Sequence, residues 1–153
     1  MNQQDLITRA RDGLRGNRRP KDVALRRAVS DSYYAVFHAL CQLSADNLVG
    51  VIHRNSEAWR RLYRGHEHGK LKIEFKNSAI RNIDPSFARI GAAFVQLQEA
   101  RHIADYDPFT PYLRRSDVEI YLRTAEATLV EIGNLQSDLA RRLATIMLIK
   151  NRG

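Results

Sequence analysis

Apolar residues recur every three or four positions along most of the chain, and this spacing is typical of α-helices. The alternating pattern of a β-strand is confined to the short, highly charged run at residues 71–75. Glycine, proline and polar clusters separate the helical segments. The predicted helices cover residues 3–14, 20–48, 56–63, 71–80, 85 to a break at 105–111, and 117–149. The sequence therefore predicts an all-α domain, a helical bundle of four main helices plus short helices, over residues 1–153.

The helix predicted at residues 20–48 is expected to lie at the centre of the bundle. Its apolar positions are Val29, Tyr33, Val36, Phe37, Leu40 and Leu43. Between Tyr33 and Leu43 apolar residues occur on nearly every side, and a helix that is apolar all round is normally buried. The same run holds Cys41, the single cysteine of the chain. A lone cysteine forms no internal disulfide, so we expect a buried thiol.

Two capping patterns predict where later helices begin. Asp84 is a good N-cap and Pro85 suits the first helical turn. Ser116 and Glu119 form the S-x-x-E pattern of a capping box. The helix that follows, at residues 117–149, would be roughly 45–50 Å long at 1.5 Å per residue. Since this length exceeds the width of a small bundle, we expect its C-terminal end to project or to pack on a second copy.

Composition favours a cytoplasmic protein. The chain has 153 residues, enough for one domain that folds without disulfides or a metal. Residues 1–5 are polar and no apolar leader segment follows them. No apolar run approaches the ~18 residues that a membrane span requires. We therefore expect a cytoplasmic location and no membrane association.

The distribution of charge points to a polyanionic partner. The net charge is +8. Residues 9–27 hold eight basic and two acidic side chains, and residues 54–81 hold eight basic and three acidic ones. Residues 82–140 are net acidic, with nine acidic and five basic side chains. Clustered positive charge attracts nucleic acid, mainly through phosphate contacts. The alternative is a solvated basic surface that binds nothing, or one that binds acidic partners.

Arg101 is the most informative candidate for a site. It continues the apolar stripe Phe87, Ile90, Phe94, Leu97 of its own predicted helix. A guanidinium on that face is directed at the bundle or at a partner, and a buried charge needs pairing. Asp105 lies four residues on, where it can pair with Arg101. Two interpretations stay open: an intrahelical ion pair, or a phosphate ligand with bidentate donors.

The neighbouring tyrosine and the histidines give weaker signals. Tyr106 opens the loop that runs to Pro111, and it is either a packing residue or a hydrogen-bond donor and modification target. His38 is expected to be a core or interfacial histidine. His66, His68 and His102 do not fix a zinc geometry, so we predict no metal site and no cofactor.

Two segments resemble known motifs. Residues 27–39, RAVSDSYYAVFHA, resemble the R-A-Y-Y-A-x-F-H-A helix of prokaryotic HEPN-domain proteins. Residues 101–108, RHIADYDP, resemble the R-x-x-A-D-Y-D-P element of one HEPN branch. Their order and separation fit, as does His66 between them. The resemblance extends over roughly residues 6–139 and implies an up-and-down helical bundle, often a homodimer.

The HEPN resemblance implies RNA-related activity. Many HEPN proteins are metal-independent ribonucleases of toxin–antitoxin or phage-defence systems, with an Arg followed after four to six residues by a His. In this chain Tyr106 stands after four intervening residues, where that histidine is expected. His102 is adjacent to Arg101 and points about 100° around the helix. Loss of a proton-transferring imidazole removes a contribution of about 10²–10⁴-fold to cleavage.

Three functional hypotheses follow from the resemblance. The first is an endoribonuclease or toxin in which Arg101 stabilises the phosphate while Asp105 or Tyr106 assists proton transfer. The second is a noncatalytic module that binds RNA or a nucleotide through Arg101, Arg26 and Arg27 in the basic N-terminal half. The third is a dimeric partner subunit of a small nucleotidyltransferase, with modification at Tyr106.

Overall fold

The computed structural model describes residues 2–16, 20–109 and 113–149, and over these residues the chain forms eight α-helices and no strand. The helices are α1 (Gln3–Leu14), α2 (Asp22–Ala45), α3 (Glu57–Arg64), α4 (His68–Lys76), α5 (Ser78–Arg81), α6 (Pro85–Tyr106), α7 (Arg115–Gly133) and α8 (Ser137–Leu148). A π-helical turn (Asp46–Gly50) and a 3-10 turn (Val51–His53) extend the end of α2. The all-α prediction is confirmed.

Helix α2 is the centre of the bundle, as its pattern predicts. It packs against α1, α3, α6, α7 and α8. The side chains at Leu25, Tyr33, Val36 and Leu40 are fully buried. Cys41 is buried too, and burial raises the pKa of its thiol to about 12, so it stays protonated and unreactive at neutral pH.

The same helix has the composition of a membrane span. Asp22–His53 contains an 18-residue window of mean hydropathy 1.4, and 44% of that window is buried inside the bundle. Core helices of soluble proteins and membrane spans can both have this length and hydropathy. Packing of α2 against its five neighbours accounts for its composition, and the cytoplasmic location stays a prediction.

The capping prediction for α6 is confirmed. The Asp84 side chain accepts a hydrogen bond from the Ser86 backbone N–H at 2.9 Å, and Pro85 is the first helical residue. The predicted stripe of α6 is fully buried: Phe87, Ile90, Phe94 and Leu97. Helix α6 ends at Tyr106, inside the predicted break.

The single long last helix was a wrong prediction. Helix α7 ends at Gly133 and α8 begins at Ser137. The break at residues 134–136 lets α8 pack against α2 and the π-helical turn. At 1.5 Å per residue, 19-residue α7 is about 28 Å long and 12-residue α8 about 18 Å. The C-terminal end of the chain therefore does not form the long projecting helix that was predicted. The argument for a second copy that rested on this projection no longer holds.

Three other helix boundaries differ from the prediction. The residue preceding α7 is Arg114, with no side-chain cap, so Ser116 lies inside the helix and forms no capping box. Helix α2 begins at Asp22 rather than at residue 20. The segment predicted as one helix at 71–80 is split at Asn77, whose side chain accepts from the Ala79 N–H and so starts α5.

Helices α4 and α6 approach each other closely at a glycine. A β-carbon on Gly91 would lie 3.1 Å from the Phe75 ring. Phe75 is buried and its ring centroid lies 5.2 Å from that of Phe94. The missing side chain at residue 91 therefore sets the distance of α4 from the core.

Candidate functional site

Arg101 lies near the C-terminal end of α6, on the face that the apolar stripe predicts. Only 9% of the residue is exposed. Position 101 follows Leu97 by one helical turn, so the guanidinium enters the bundle between α6 and α2. A charge at this depth needs compensating contacts.

Tyrosines surround the Arg101 guanidinium. One terminal nitrogen donates to the Tyr34 hydroxyl at 2.9 Å. The central carbon lies 5.2 Å from the Tyr33 ring centroid, 5.4 Å from that of Tyr34 and 5.6 Å from that of Tyr106. These are cation–π distances, and such contacts strengthen when the cation is desolvated.

The donors of Arg101 are incompletely used. Its Nε is buried and has no hydrogen-bond partner among the described residues. The nearest Asp105 carboxylate oxygen is 3.7 Å from Nε, an ion pair but beyond hydrogen-bond distance. Arg101 therefore keeps one donor, its enclosed Nε–H, without a hydrogen-bond acceptor.

The charge of Arg101 is secure despite its burial. Burial acts to lower the pKa of the guanidinium, but the Tyr34 hydrogen bond and the nearby Asp105 charge act in the opposite direction. The net result is a raised pKa. Arg101 stays a cation at every physiological pH, as a phosphate ligand must.

Asp105 and Tyr106 are brought to Arg101, as the sequence predicts. The Asp105 carboxylate also contacts the Ser30 hydroxyl at 3.4 Å. Tyr106 is 64% exposed, and its ring lies 5.1 Å from the exposed His102 ring. The rest of the loop to Pro111 includes residues 110–112, which lie outside the described residues.

Arg26 and Arg27 line an open groove that reaches this site. The groove has a volume of about 570 Å³ and also includes Tyr34 and Asp105 in its wall. Arg26 is committed to structure: it donates to the Asp22 carboxylate at 2.6 Å and to the Ala104 and Asp107 carbonyls at 3.0 Å each. Arg27 is exposed. Of the two predicted RNA contacts, Arg27 is thus the better placed.

His68 joins the site, although its sequence position gives no sign of it. It is the first residue of α4, and its Nδ1 is hydrogen-bonded to the Tyr33 hydroxyl. Its ring stacks on Phe37 with centroids 4.0 Å apart. We call the six residues that meet here the Arg101 cluster: Tyr33, Tyr34, His68, Arg101, Asp105 and Tyr106.

The imidazole of His68 is neutral at physiological pH. Burial lowers its pKa below the usual 6.5, and the charges of Arg101 and His38 lower it further. Burial raises the pKa of Tyr33, so its hydroxyl keeps its proton. The cluster therefore combines a permanent cation with a neutral imidazole, which is the state a general base needs.

The other histidines serve different contacts. His38 Nδ1 is hydrogen-bonded to the Tyr63 hydroxyl at 2.8 Å. His66 has a buried Nε2 without a partner and lines a separate groove with Met147. Within residues 2–16, 20–109 and 113–149, no group of three or more His, Cys, Asp or Glu side chains is arranged to hold a metal ion.

No protein-family model, curated protein or solved structure matches this chain. The resemblance to HEPN proteins therefore depends on the two motifs alone. Those motifs lie on α2 and α6, and they meet where Arg101 donates to Tyr34 across 67 positions of sequence.

Proposed function

We propose that the protein is a HEPN-like helical bundle that binds RNA at the Arg101 cluster and cleaves it without a metal ion. One observation carries the proposal: a guanidinium only 9% exposed is enclosed by tyrosines of the two motifs, with a buried Nε that lacks a hydrogen-bond partner. A buried cation with unused donors suits an anionic ligand better than a purely structural role.

The groove beside the cluster supports RNA as the ligand. Arg27 lies in its wall together with Tyr34 and Asp105. Phosphates that follow this groove would meet Arg27 before they reach Arg101. Phosphate contacts of this kind give affinity that falls steeply as salt rises.

The proposed reaction needs a charge stabiliser and a proton acceptor. Arg101 would stabilise the negative charge that develops on the phosphate oxygens during attack by the 2′-hydroxyl. Asp105 would hold Arg101, since it lies 3.7 Å from Nε. Tyr106 is 64% exposed beside the guanidinium and would contact the RNA directly.

The test is cleavage of a short single-stranded RNA by the purified protein in the presence of EDTA. A DNA of the same sequence is the matched control, because it lacks the attacking 2′-hydroxyl. We expect RNA fragments with a 2′,3′-cyclic phosphate and a 5′-hydroxyl, and intact DNA. A folded protein that neither binds nor cleaves RNA would contradict the proposal.

A noncatalytic RNA-binding module is the second candidate. Tyr106 stands where the ribonuclease motif has its histidine, and this departure favours binding without cleavage. The module would hold RNA with an affinity that falls as salt rises, and leave it intact. The cleavage assay, run beside a binding titration, separates the two candidates.

We also propose a homodimer, as the HEPN resemblance implies. Two apolar side chains exposed near the end of α6 support it: Ile103 (44%) and Phe109 (91%). Pairing through this surface would bring two Arg101 clusters together. The nucleotidyltransferase partner stays a proposal from the resemblance alone. Light scattering at micromolar concentration tests the dimer, and a monomer mass would contradict it.

A further inference from the structure

His68 is held in a fixed orientation by α2. Its Nδ1 bonds to the Tyr33 hydroxyl, and its ring stacks on Phe37 at 4.0 Å. These contacts use Nδ1 and one ring face, and Nε2 has no hydrogen-bond partner among the described residues. A neutral imidazole and a hydroxyl can each donate or accept, so the tautomer depends on which of them donates.

The Tyr33 and Tyr34 rings link His68 to Arg101. The His68 ring centroid lies 5.5 Å from that of Tyr33 and 5.9 Å from that of Tyr34. The Arg101 central carbon lies 5.2 and 5.4 Å from the same two rings. Both functional groups therefore contact one pair of tyrosines.

We propose that His68 is the general base of this site and supplies the imidazole that the motif lacks at residue 106. The inference rests on the proposed RNA cleavage and deepens it. His68 Nε2 takes the 2′-hydroxyl proton while the 2′-oxygen forms a bond to phosphorus. The bond from phosphorus to the 5′-oxygen breaks, and that oxygen takes a proton from water. The products are a 2′,3′-cyclic phosphate and a 5′-hydroxyl, and His68 returns its proton to solvent.

This role requires one tautomer of His68. The Nδ1–H must donate to the Tyr33 oxygen, so that Nε2 carries the free lone pair. Ionisable groups that face His68 from other helices are Tyr33, Tyr34 and His38 on α2 and Arg101 on α6. The only permanent charge among them is the Arg101 cation, which disfavours protonation of the imidazole.

The main experiment compares His68→Gln with His102→Gln in metal-free RNA cleavage. His102 is exposed and sits beside Arg101 in sequence, so it is the matched control. We expect His68→Gln to slow cleavage about 10²–10⁴-fold with RNA affinity unchanged, and His102→Gln to cleave like the unaltered protein. The unaltered protein should keep its activity at pH 6.5 and lose it only as the pH falls through the lowered pKa of His68, because the base then becomes protonated; His68→Gln should lack that dependence.

The outcomes separate this inference from the proposed function. If Arg101→Gln abolishes cleavage while folded His68→Gln retains it within threefold, RNA cleavage stands and the role of His68 is overturned. If the unaltered protein does not cleave RNA, both are overturned.

A second measurement decides the case in which His68→Gln fails to fold. Imidazole ¹⁵N spectra of the unaltered protein are recorded with and without an RNA whose 2′-hydroxyls are replaced by hydrogen. We expect an unprotonated Nε2 in His68 that shifts when this uncleavable strand binds. A protonated Nε2 at pH 7.5, or no shift at saturation, would overturn the proposal.

Discussion

Arg11 and Arg101 each join two helices, but their surroundings differ. Arg11 links α1 to α7: it donates to Glu119 at 2.7 Å and to Glu126 at 2.8 Å, and about a third of its side chain is exposed. Arg101 links α6 to α2 through a tyrosine hydroxyl, is 9% exposed, and keeps an unbonded Nε. Two carboxylates satisfy the first arginine. The second has its carboxylate partner, Asp105, only at 3.7 Å and is otherwise surrounded by tyrosine rings.

This difference separates arginines with a structural role from arginines that are candidates for ligand binding. Close carboxylate partners neutralise a guanidinium and leave little attraction for phosphate, whereas aromatic rings hold the cation without neutralising it. Arg11 is thus a structural residue, and Arg101 the candidate for ligand binding. The predictions below test this division.

The largest expected effect is a loss of stability in mild acid, because three partly buried histidines contribute to it. Burial lowers the pKa of His38, His66 and His68 below 6.5, so protonation favours the unfolded chain. The stability that comes from their neutral state is fully present above about pH 6.5, and it is lost as the pH falls through the lowered pKa values. We expect the free energy of unfolding to be lower at pH 5 than at pH 7.

Urea unfolding at the two pH values measures this drop. His68→Gln should show a smaller pH dependence than the unaltered protein. The Arg11–Glu119 ion pair responds in a different pH range. The Arg11 hydrogen bond holds the pKa of Glu119 below its usual 4.5, so the stability from this ion pair is lost only at more acidic pH. Equal stability at pH 5 and pH 7 would contradict the buried, neutral state of His38, His66 and His68.

An intermediate effect is expected from Gly91→Ala on α6, because the substitution displaces α4, the helix that begins at His68. The new β-carbon would meet the Phe75 ring at 3.1 Å and push α4 away from α6. We expect a destabilisation of about 1–3 kcal/mol, measured by urea unfolding. Gly133→Ala, at the end of α7 with nothing within 4 Å, is the control. Equal effects of the two substitutions would show that the α4–α6 contact is not tight.

The smallest effect is expected from Arg11→Gln. Partly exposed ion pairs contribute little, so stability should fall by roughly 0.5–1 kcal/mol. RNA affinity and cleavage should stay within twofold of the unaltered protein, since Arg11 lies outside the cluster. A large loss of RNA affinity in this variant would erase the distinction between the two arginines.

Much of the fold could be predicted from local signals. The Asp84–Pro85 start of α6 and its buried stripe depend on neighbouring residues, and both are confirmed. The break between α7 and α8 could not be seen so easily, because apolar spacing continues across it through Ile132, Leu135 and Leu139. Gly133 and Asn134 were the available stop signal.

The candidate site was only partly predictable for a related reason. Arg101, Asp105 and Tyr106 share one helix end, so their spacing brings them together. His68 reaches the site through Tyr33, 35 positions away in sequence, and no helical periodicity relates those two residues. Contacts between helices α2 and α4 depend on packing, which the periodicity of either helix leaves undetermined.

The most direct test of the central claim is metal-free RNA cleavage by three proteins: the unaltered chain, Arg101→Gln and Arg11→Gln. Glutamine retains part of the volume between the tyrosines, where alanine would leave a cavity. The account predicts that Arg101→Gln stays folded by circular dichroism and cleaves at least about 100-fold more slowly, while Arg11→Gln cleaves normally. A folded Arg101→Gln protein that binds and cleaves RNA like the unaltered chain would contradict it.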